Sequence, residues 1–435
     1  MARYQYSTKE AFEAATAQVM GYLLDAYDMV LVLAAAPIIM YVFLPRTIPP
    51  WLALIDTFLG YSITLIFRPI GSLVFGHFAD KIGRRDILLV TLSGLGVSGA
   101  LMAALPTYAQ VGLLAYALYN VVRAAVGFFA GGEYAAGFPF AMEYVSPKIR
   151  GLVGGFVEGG FGLGAFLSGI AVAGFLAIFK EAMYTIGWRY LFLTEIVPLF
   201  VGLIIRFGMK ETPLFSEIKE KGQVERMPIR ALFTRPYLRL YLIVLLFTTG
   251  SMLVYYSTIG MGITAVLSQA SVSESIMSFA YALAGLTFFW MNVILGFISD
   301  FIGRRKMYII TSILGIVFIV PVFYGLYIVG LMRVATEIYA LSILLGIVNC
   351  FAWGPMPAFV TERFPTKIRA VGSGFGFSSS LFIGSWVPLY ILALTAISKL
   401  MWINYSVMTI IGFILFLAGI ILTEERTGID LREIQ

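Results

Sequence analysis

"GHFADKIGRR" (76–85) is a polar phrase set between two long apolar stretches, and "GFISDFIGRR" (296–305) repeats it 220 residues later with six of ten positions identical. A second phrase, "EYVSPKIRGLVGGF" (143–156), returns as "ERFPTKIRAVGSGF" (362–375) at an offset of 219. Two echoes in the same order at nearly one offset mark two homologous halves. Parallel repeats around a central path are a transporter architecture.

The stretches between the echoes decide the solvent. Of 435 residues, 60% are hydrophobic and 12% charged, and the mean hydropathy is +0.91. A water-soluble globule carries roughly 25% charged residues, so this chain belongs in a bilayer. Crossing one takes about 20 apolar residues. Twelve such stretches are expected at 18–44, 52–77, 87–105, 111–141, 152–179, 187–207, 237–266, 275–298, 307–329, 334–360, 371–397 and 401–422. Each is a helix, because a lone segment in lipid must satisfy its own backbone hydrogen bonds. The polar start, "MARYQYSTKEAFEAATAQ", leads into a segment too long for a signal-peptide core.

With the N-terminus placed in the cytoplasm, 22 of the 30 Lys and Arg fall on the inner side and five outside, with three in or at the ends of spans. That bias sets the orientation, with both termini cytoplasmic, and the expected location is the cell membrane. The net charge of +6 is therefore topology, and a nucleic-acid partner is excluded. The longest polar segment, 210–239, divides the spans six and six. The expected organisation is an N-terminal bundle (1–209), a linker along the cytoplasmic membrane surface (210–236) and a C-terminal bundle (237–435). With one cysteine (Cys350) and one histidine (His77), no disulfide, zinc site or His-based catalytic group is expected. No G-x-x-x-x-G-K-[ST] loop is present for ATP drive. No cofactor is called for. The expected partners are the lipid bilayer, protons and a small-molecule substrate, with the chain acting as a monomer.

The doubled G-x-x-x-D-x-x-G-R-R phrase, placed between spans 2 and 3 and again between 8 and 9, resembles the signature loop of the major facilitator superfamily. The resemblance covers essentially the whole chain. It implies an all-α integral membrane fold of twelve transmembrane helices in two pseudo-symmetric six-helix bundles, working by alternating access. "LLDAYDM" (23–29), "RAAVGFFAGGEYAAGFPFAMEY" (123–144) and "RGLVGGFVEGGFGLG" (150–164) look like the proton-coupled metabolite branches, best the sialate and monocarboxylate symporters. Sugar porters are echoed by "ETPLF" (211–215) and "EERTGIDLREI" (424–434), and phosphate symporters by "DAYD" and "GGEY". The expected function is proton-coupled symport of a small polar metabolite, a carboxylate being the expected class. A sugar or neutral-solute facilitator and a transporter-like sensor remain as alternatives, and a membrane enzyme stands further off.

Ionisable residues inside spans are costly and mark function. Asp25, Asp28, Asp56, Arg68, Arg123, Glu133, Glu158 and Glu195 all lie within spans of the first half, while spans 7–12 carry none away from their ends. At about 1.5 Å per residue, Asp28, Arg123 and Glu158 sit near mid-membrane. The resemblance implies that Asp28 and Arg123 are the proton-coupling pair, with Glu158, Asp25 and Glu133 as further candidates. Glu158 departs from the glutamine that sugar porters and phosphate symporters place eight residues after the fifth-span arginine. It is expected either to pair with Arg123 or Arg68 or to form a second proton site. Arg68 and Asp56 read equally well as a structural ion pair. Substrate contacts are expected from Arg123 and Glu158, and from Tyr255, Tyr256, Asn292, Asn349 and Trp353 in the second half. Gly354, Pro355 and Pro357 are expected to break span 10 at a hinge.

The repeated phrases supply a gate. Gly83 and Gly303 permit tight turns. Asp80, Arg84, Arg85, Asp300, Arg304 and Arg305 are expected to form an inner-side charge network. Glu143 with Arg150 and Glu362 with Arg369 complete it. Such pairs must break when that side opens, so they bias a conformational equilibrium.

Overall fold

The computed structural model describes residues 7–45 and 50–434, with side chains from residue 60 onward in the second segment. Asp56 therefore lies outside the described side chains. All regular structure among the described residues is helical. The spans are α1 (Thr8–Ala34, continued by Ala36–Phe43), α2 (Pro50–Ile82), α3 (Arg84–Leu101), α4 (Leu113–Glu143), α5 (Arg150–Phe179) and α6 (Gly187–Leu193 and Ile196–Phe207). The second half repeats them as α7 (Tyr237–Tyr255), α8 (Glu274–Ile302), α9 (Arg304–Met332), α10 (Ala335–Cys350), α11 (Arg369–Ser378, continued by Val387–Leu394) and α12 (Met401–Ile421). Among the described residues, eleven helical segments are long and apolar enough to cross a membrane, and Ala335–Cys350 is a shorter apolar helix.

Two expected boundaries move, and the break expected in the tenth span is present. The first helix begins at Thr8, ten residues before the apolar run, because Ser7 caps it by accepting from the Glu10 N–H. The seventh span is not one α-helix: a π-turn at Tyr256–Gly260 separates Tyr237–Tyr255 from Gly262–Gln269. The tenth breaks after Cys350 and resumes as Met356–Thr361, with Gly354 at φ 37° in the gap. Backbone groups freed by that break find side-chain partners. The Tyr308 hydroxyl donates to the Trp353 carbonyl (2.5 Å), Thr311 donates to the Phe351 carbonyl (2.8 Å), and the Gly354 N–H reaches Asn292 Oδ1 (2.8 Å). Irregular backbone survives at membrane depth because protein groups replace the missing water.

Packing follows the duplication. In the first half α2 lies along α4 and α1 along α5; in the second α8 lies along α10 and α7 along α11. The halves meet through two equivalent seams, α5 against α8 and α11 against α2. On α4, Gly127 and Gly131, one turn apart, leave a bare groove, and α2 fills it. A Cβ at either would strike the Thr64 or Arg68 carbonyl. The missing side chains bring the backbones together in lipid, where close packing supplies the attraction.

Candidate functional site

Four buried acids of the first half meet four different surroundings. Asp28 takes Arg123 in two-point contact, Nη1–Oδ1 at 2.6 Å and Nη2–Oδ2 at 2.8 Å, while Arg123 Nε donates to Thr64 Oγ1 at 3.0 Å. One turn earlier, Asp25 takes Arg68 in the same manner, at 2.5 and 3.0 Å. The Tyr134 hydroxyl donates to the same Asp25 carboxylate at 2.6 Å. Glu133 pairs with Arg206, which also donates to the Ala17 and Leu88 carbonyls. Glu195 has no hydrogen-bond partner on either oxygen, although Asp28 and Arg123 lie within electrostatic range. Paired, hydrogen-bonded charges are the form in which a membrane interior tolerates them.

Between the halves lies a cavity lined by residues of both. Its first-half wall includes Tyr22, Arg68, Tyr134 and Glu158, and its second-half wall includes Tyr255, Tyr256, Trp353 and Phe377. Several polar atoms on this wall have no hydrogen-bond partner among the described residues: the Tyr22 hydroxyl, Arg68 Nε, Trp353 Nε1 and Glu158 Oε2. Glu158 is 2% exposed and forms no ion pair within 4 Å among the described residues. The expected pairing with Arg123 or Arg68 is not made, because Asp28 and Asp25 occupy those guanidinium faces.

One end of the bundle, the end carrying the Gly83 and Gly303 turns, is pinned shut across the halves. Asp80 accepts the N–H groups of Ala370 and Val371 (both 2.9 Å) at the start of α11. Asp300 does the same for Gly151 and Leu152 (both 2.8 Å) at the start of α5. Each carboxylate thus caps a helix N-terminus of the opposite half. Arg84 donates to Asp80 (3.1 Å) and the Thr366 carbonyl (2.6 Å) and lies 3.6 Å from Glu143; Arg304 donates to Asp300 (3.1 Å) and forms an ion pair with Glu362 (3.0 Å). The acid–base pairs cross between the halves. Glu143 holds Arg369 (2.9 Å) and Glu362 holds Arg150 (3.2 Å). Arg85 and Arg305 stand outside this network. They donate to the Phe207 and Ile421 carbonyls, tying α3 to α6 and α9 to α12 within a half.

Two acids missed by the sequence reading complete each corner. Glu211 accepts the Arg85 N–H (3.1 Å), and Glu425 accepts those of Arg304 (3.2 Å) and Arg305 (2.9 Å). Both follow the last span of their half, in "KETP" and "EERT", which was the available signal. Burial pushes the Glu211 carboxyl above its usual range, against the pull of Arg84.

Residues 19–268 match the family model described as Major Facilitator Superfamily, and residues 215–435 match Sugar (and other) transporter. The chain belongs to the major facilitator superfamily. It is a multi-pass membrane transporter and not an enzyme. The shikimate transporter of Escherichia coli is 27% identical over 420 residues, covering 93% of each chain. A proline/betaine transporter of Salmonella typhimurium is 26% identical over 434 residues, covering 95% of this chain and 83% of its own. In fold, the chain is similar to the proton:xylose symporter XylE bound to 6-bromo-6-deoxy-D-glucose, with a TM-score of 0.77 at 18% identity, covering 98% and 99%.

Within this facilitator the sequence-derived candidates separate by position. Glu158, Tyr255, Tyr256 and Trp353 line the cavity. Arg123 does not; it lies buried in the first bundle with Asp28, off the cavity wall. Asn292 and Asn349 are likewise absent from the wall. Asn292 caps the α10 break, and Asn349 Oδ1 accepts the Thr258 hydroxyl (3.0 Å) at the π-turn. Each is held there by its amide oxygen. Arg68, Tyr22 and Tyr134 are polar cavity residues that the sequence did not single out as substrate contacts. Arg68 had offered a signal, a mid-span arginine, but nothing in the chain order says which way it points.

Proposed function

We propose that the protein is a secondary active symporter that carries a small polar carboxylate together with protons. The observation behind this is Arg68. It faces the cavity with its Nε unpartnered, while its other nitrogens rest on Asp25. A guanidinium recognises a carboxylate with two parallel N–H bonds. The substrate's carboxylate competes with Asp25 for that face, and a proton on Asp25 releases it. Proton binding and substrate binding then favour one another. Asp28 and Arg123, behind the cavity, form a second pair through which protonation reaches the packing of α1 against α4. Tyr22 and Trp353 add hydrogen-bond donors. We read the pinned end, which carries the charged loops, as cytoplasmic, and this state as the one closed to the inside.

The supporting relatives include a shikimate transporter, and shikimate is a carboxylate. The testing experiment is a thermal-shift screen of the purified protein against organic acids, sugars and amino acids at two pH values, since a ligand that binds only the folded state raises its stability. Carboxylates should stabilise the protein, more so at the lower pH. Ligands found this way should drive proton entry into proteoliposomes. Stabilisation by neutral sugars alone, unchanged in Arg68→Gln, would refute the reading.

A further inference from the structure

The carboxylate reading leaves one charge in the cavity unexplained. Asp25 and Arg68 cancel one another at 2.5 Å. Glu158 has no such partner, and its Oε2 accepts no hydrogen bond. A lone carboxylate shielded from water is costly, so something that enters this cavity must compensate it. A proton would do so, and so would a cationic group on the substrate.

The surrounding wall discriminates between these two. An unbroken series of aromatic contacts runs around the cavity: Tyr134 on Phe377 (5.0 Å between centroids), Phe377 on Trp353 (6.1 Å), Trp353 on Phe288 (6.2 Å), Phe288 on Phe161 (6.3 Å) and Phe161 on Tyr255 (5.7 Å). Phe161 follows Glu158 by three residues and therefore shares its helix face. A proton on Glu158 needs none of these rings. A cation does, because ring faces attract positive charge, most strongly where water is excluded. The same wall selects among cations. A primary ammonium brings three N–H donors, and among the described wall residues Glu158 is the one carboxylate to receive them, with the Tyr22 hydroxyl the other unpartnered oxygen. A methylated nitrogen brings fewer donors or none, and its surface suits aromatic faces.

We infer that the substrate is a zwitterion, with its carboxylate on Arg68 and a methylated cationic nitrogen held by Glu158 within the aromatic ring. This rests on the carboxylate reading above and narrows it. Glu158 is then a specificity residue, and proton coupling stays with the two Asp–Arg pairs.

The test uses the full chain in detergent and two ligands of one shape. Glycine betaine and 3,3-dimethylbutanoate share a carboxylate and three methyl groups, and differ in carrying N⁺ or carbon at the centre. The wild type should bind glycine betaine at least about tenfold more tightly. Glu158→Gln should erase that preference while leaving 3,3-dimethylbutanoate bound as well or better. Trp353→Leu, which keeps the charge, should weaken glycine betaine alone. Equal or weaker binding of glycine betaine by the wild type overturns the inference, as does a preference that survives Glu158→Gln. If Glu158→Gln retains binding of both ligands and flattens their pH dependence, Glu158 is a proton site and the inference falls. Tetramethylammonium separates the two readings. If it binds in a Glu158-dependent way while neither carboxylate responds to Arg68→Gln, the cation site stands and the carboxylate reading fails. Failure of both glycine betaine and tetramethylammonium to bind overturns the cation site itself.

Discussion

The two halves are alike at one end of the molecule and unlike in its middle. At the pinned end each half contributes an aspartate that caps the other half's helix, an arginine beside it, and a glutamate that crosses over. In the middle the likeness ends. The first half holds three buried acid–arginine pairs and the unpaired Glu158 and Glu195. The second half fills the same depth with hydroxyls and amides, such as Ser257 on Thr409 (2.8 Å) and Thr258 on Asn349 (3.0 Å). A duplicated chain keeps its symmetry where the halves must close on each other, because closure needs complementary surfaces. It loses symmetry where charge is handled, because one set of pairs suffices and each further one costs desolvation.

The largest effect should come from removing charge handling in the first half. Asp28→Asn should abolish pH-driven accumulation in proteoliposomes while leaving substrate exchange measurable. Normal accumulation in that variant would remove the pair from coupling. Arg123→Ala should cost stability as well, about 3–5 kcal/mol for a broken buried pair, read from thermal unfolding. The equal-depth change in the second half, Asn292→Ala, should lower stability by about 1–3 kcal/mol through the lost Gly354 cap and leave the pH profile intact. A shifted pH profile there would mean that both halves take part in coupling.

The symmetric end should answer symmetrically. Asp80→Asn and Asp300→Asn each weaken a cross-half helix cap. In a Cys350→Ser background, each should increase labelling of cysteines engineered on the pinned end, and by similar amounts. A response to only one would show that a single seam bears the closure.

The smallest effect belongs to the surface. Arg432, in the C-terminal tail, meets Glu217 on the linker helix Pro213–Glu220 at 3.0 Å. A hydrogen bond from Lys221, opposed by slight burial and joined by one from Arg432, holds the Glu217 carboxyl below its usual value of 4.5. Its contribution is complete above that value and is lost as the pH falls through the depressed one. Glu217→Gln should therefore cost less than about 1 kcal/mol at neutral pH and nothing at strongly acid pH. A larger loss would make the tail and linker part of the latch.

Much of this was legible from the chain alone. Apolar runs long enough to cross lipid, two repeated phrases and a skewed charge distribution determined the duplication and the twelve spans, because a bilayer leaves a lone segment no structure but a helix. The confinement of charge to the first half was equally plain, since the cost of a buried charge is paid wherever in the chain it stands. Sequence could not say which acid meets which base. Asp25 and Asp28 are three residues apart and look alike, yet one faces the cavity through Arg68 and the other is sealed behind it with Arg123. Glu143 and Arg150 are neighbours in the chain but each pairs with the opposite half. Asn292 and Asn349 looked like cavity amides; instead Asn292 caps the break that Gly354, Pro355 and Pro357 announced, and Asn349 holds Thr258 at a π-turn that no composition announces. Those outcomes depend on helix rotation and on which seam brings two faces together. Rotation is set by the packing of small residues such as Gly127 and Gly131 against neighbours remote in sequence, and only the folded chain brings those neighbours together.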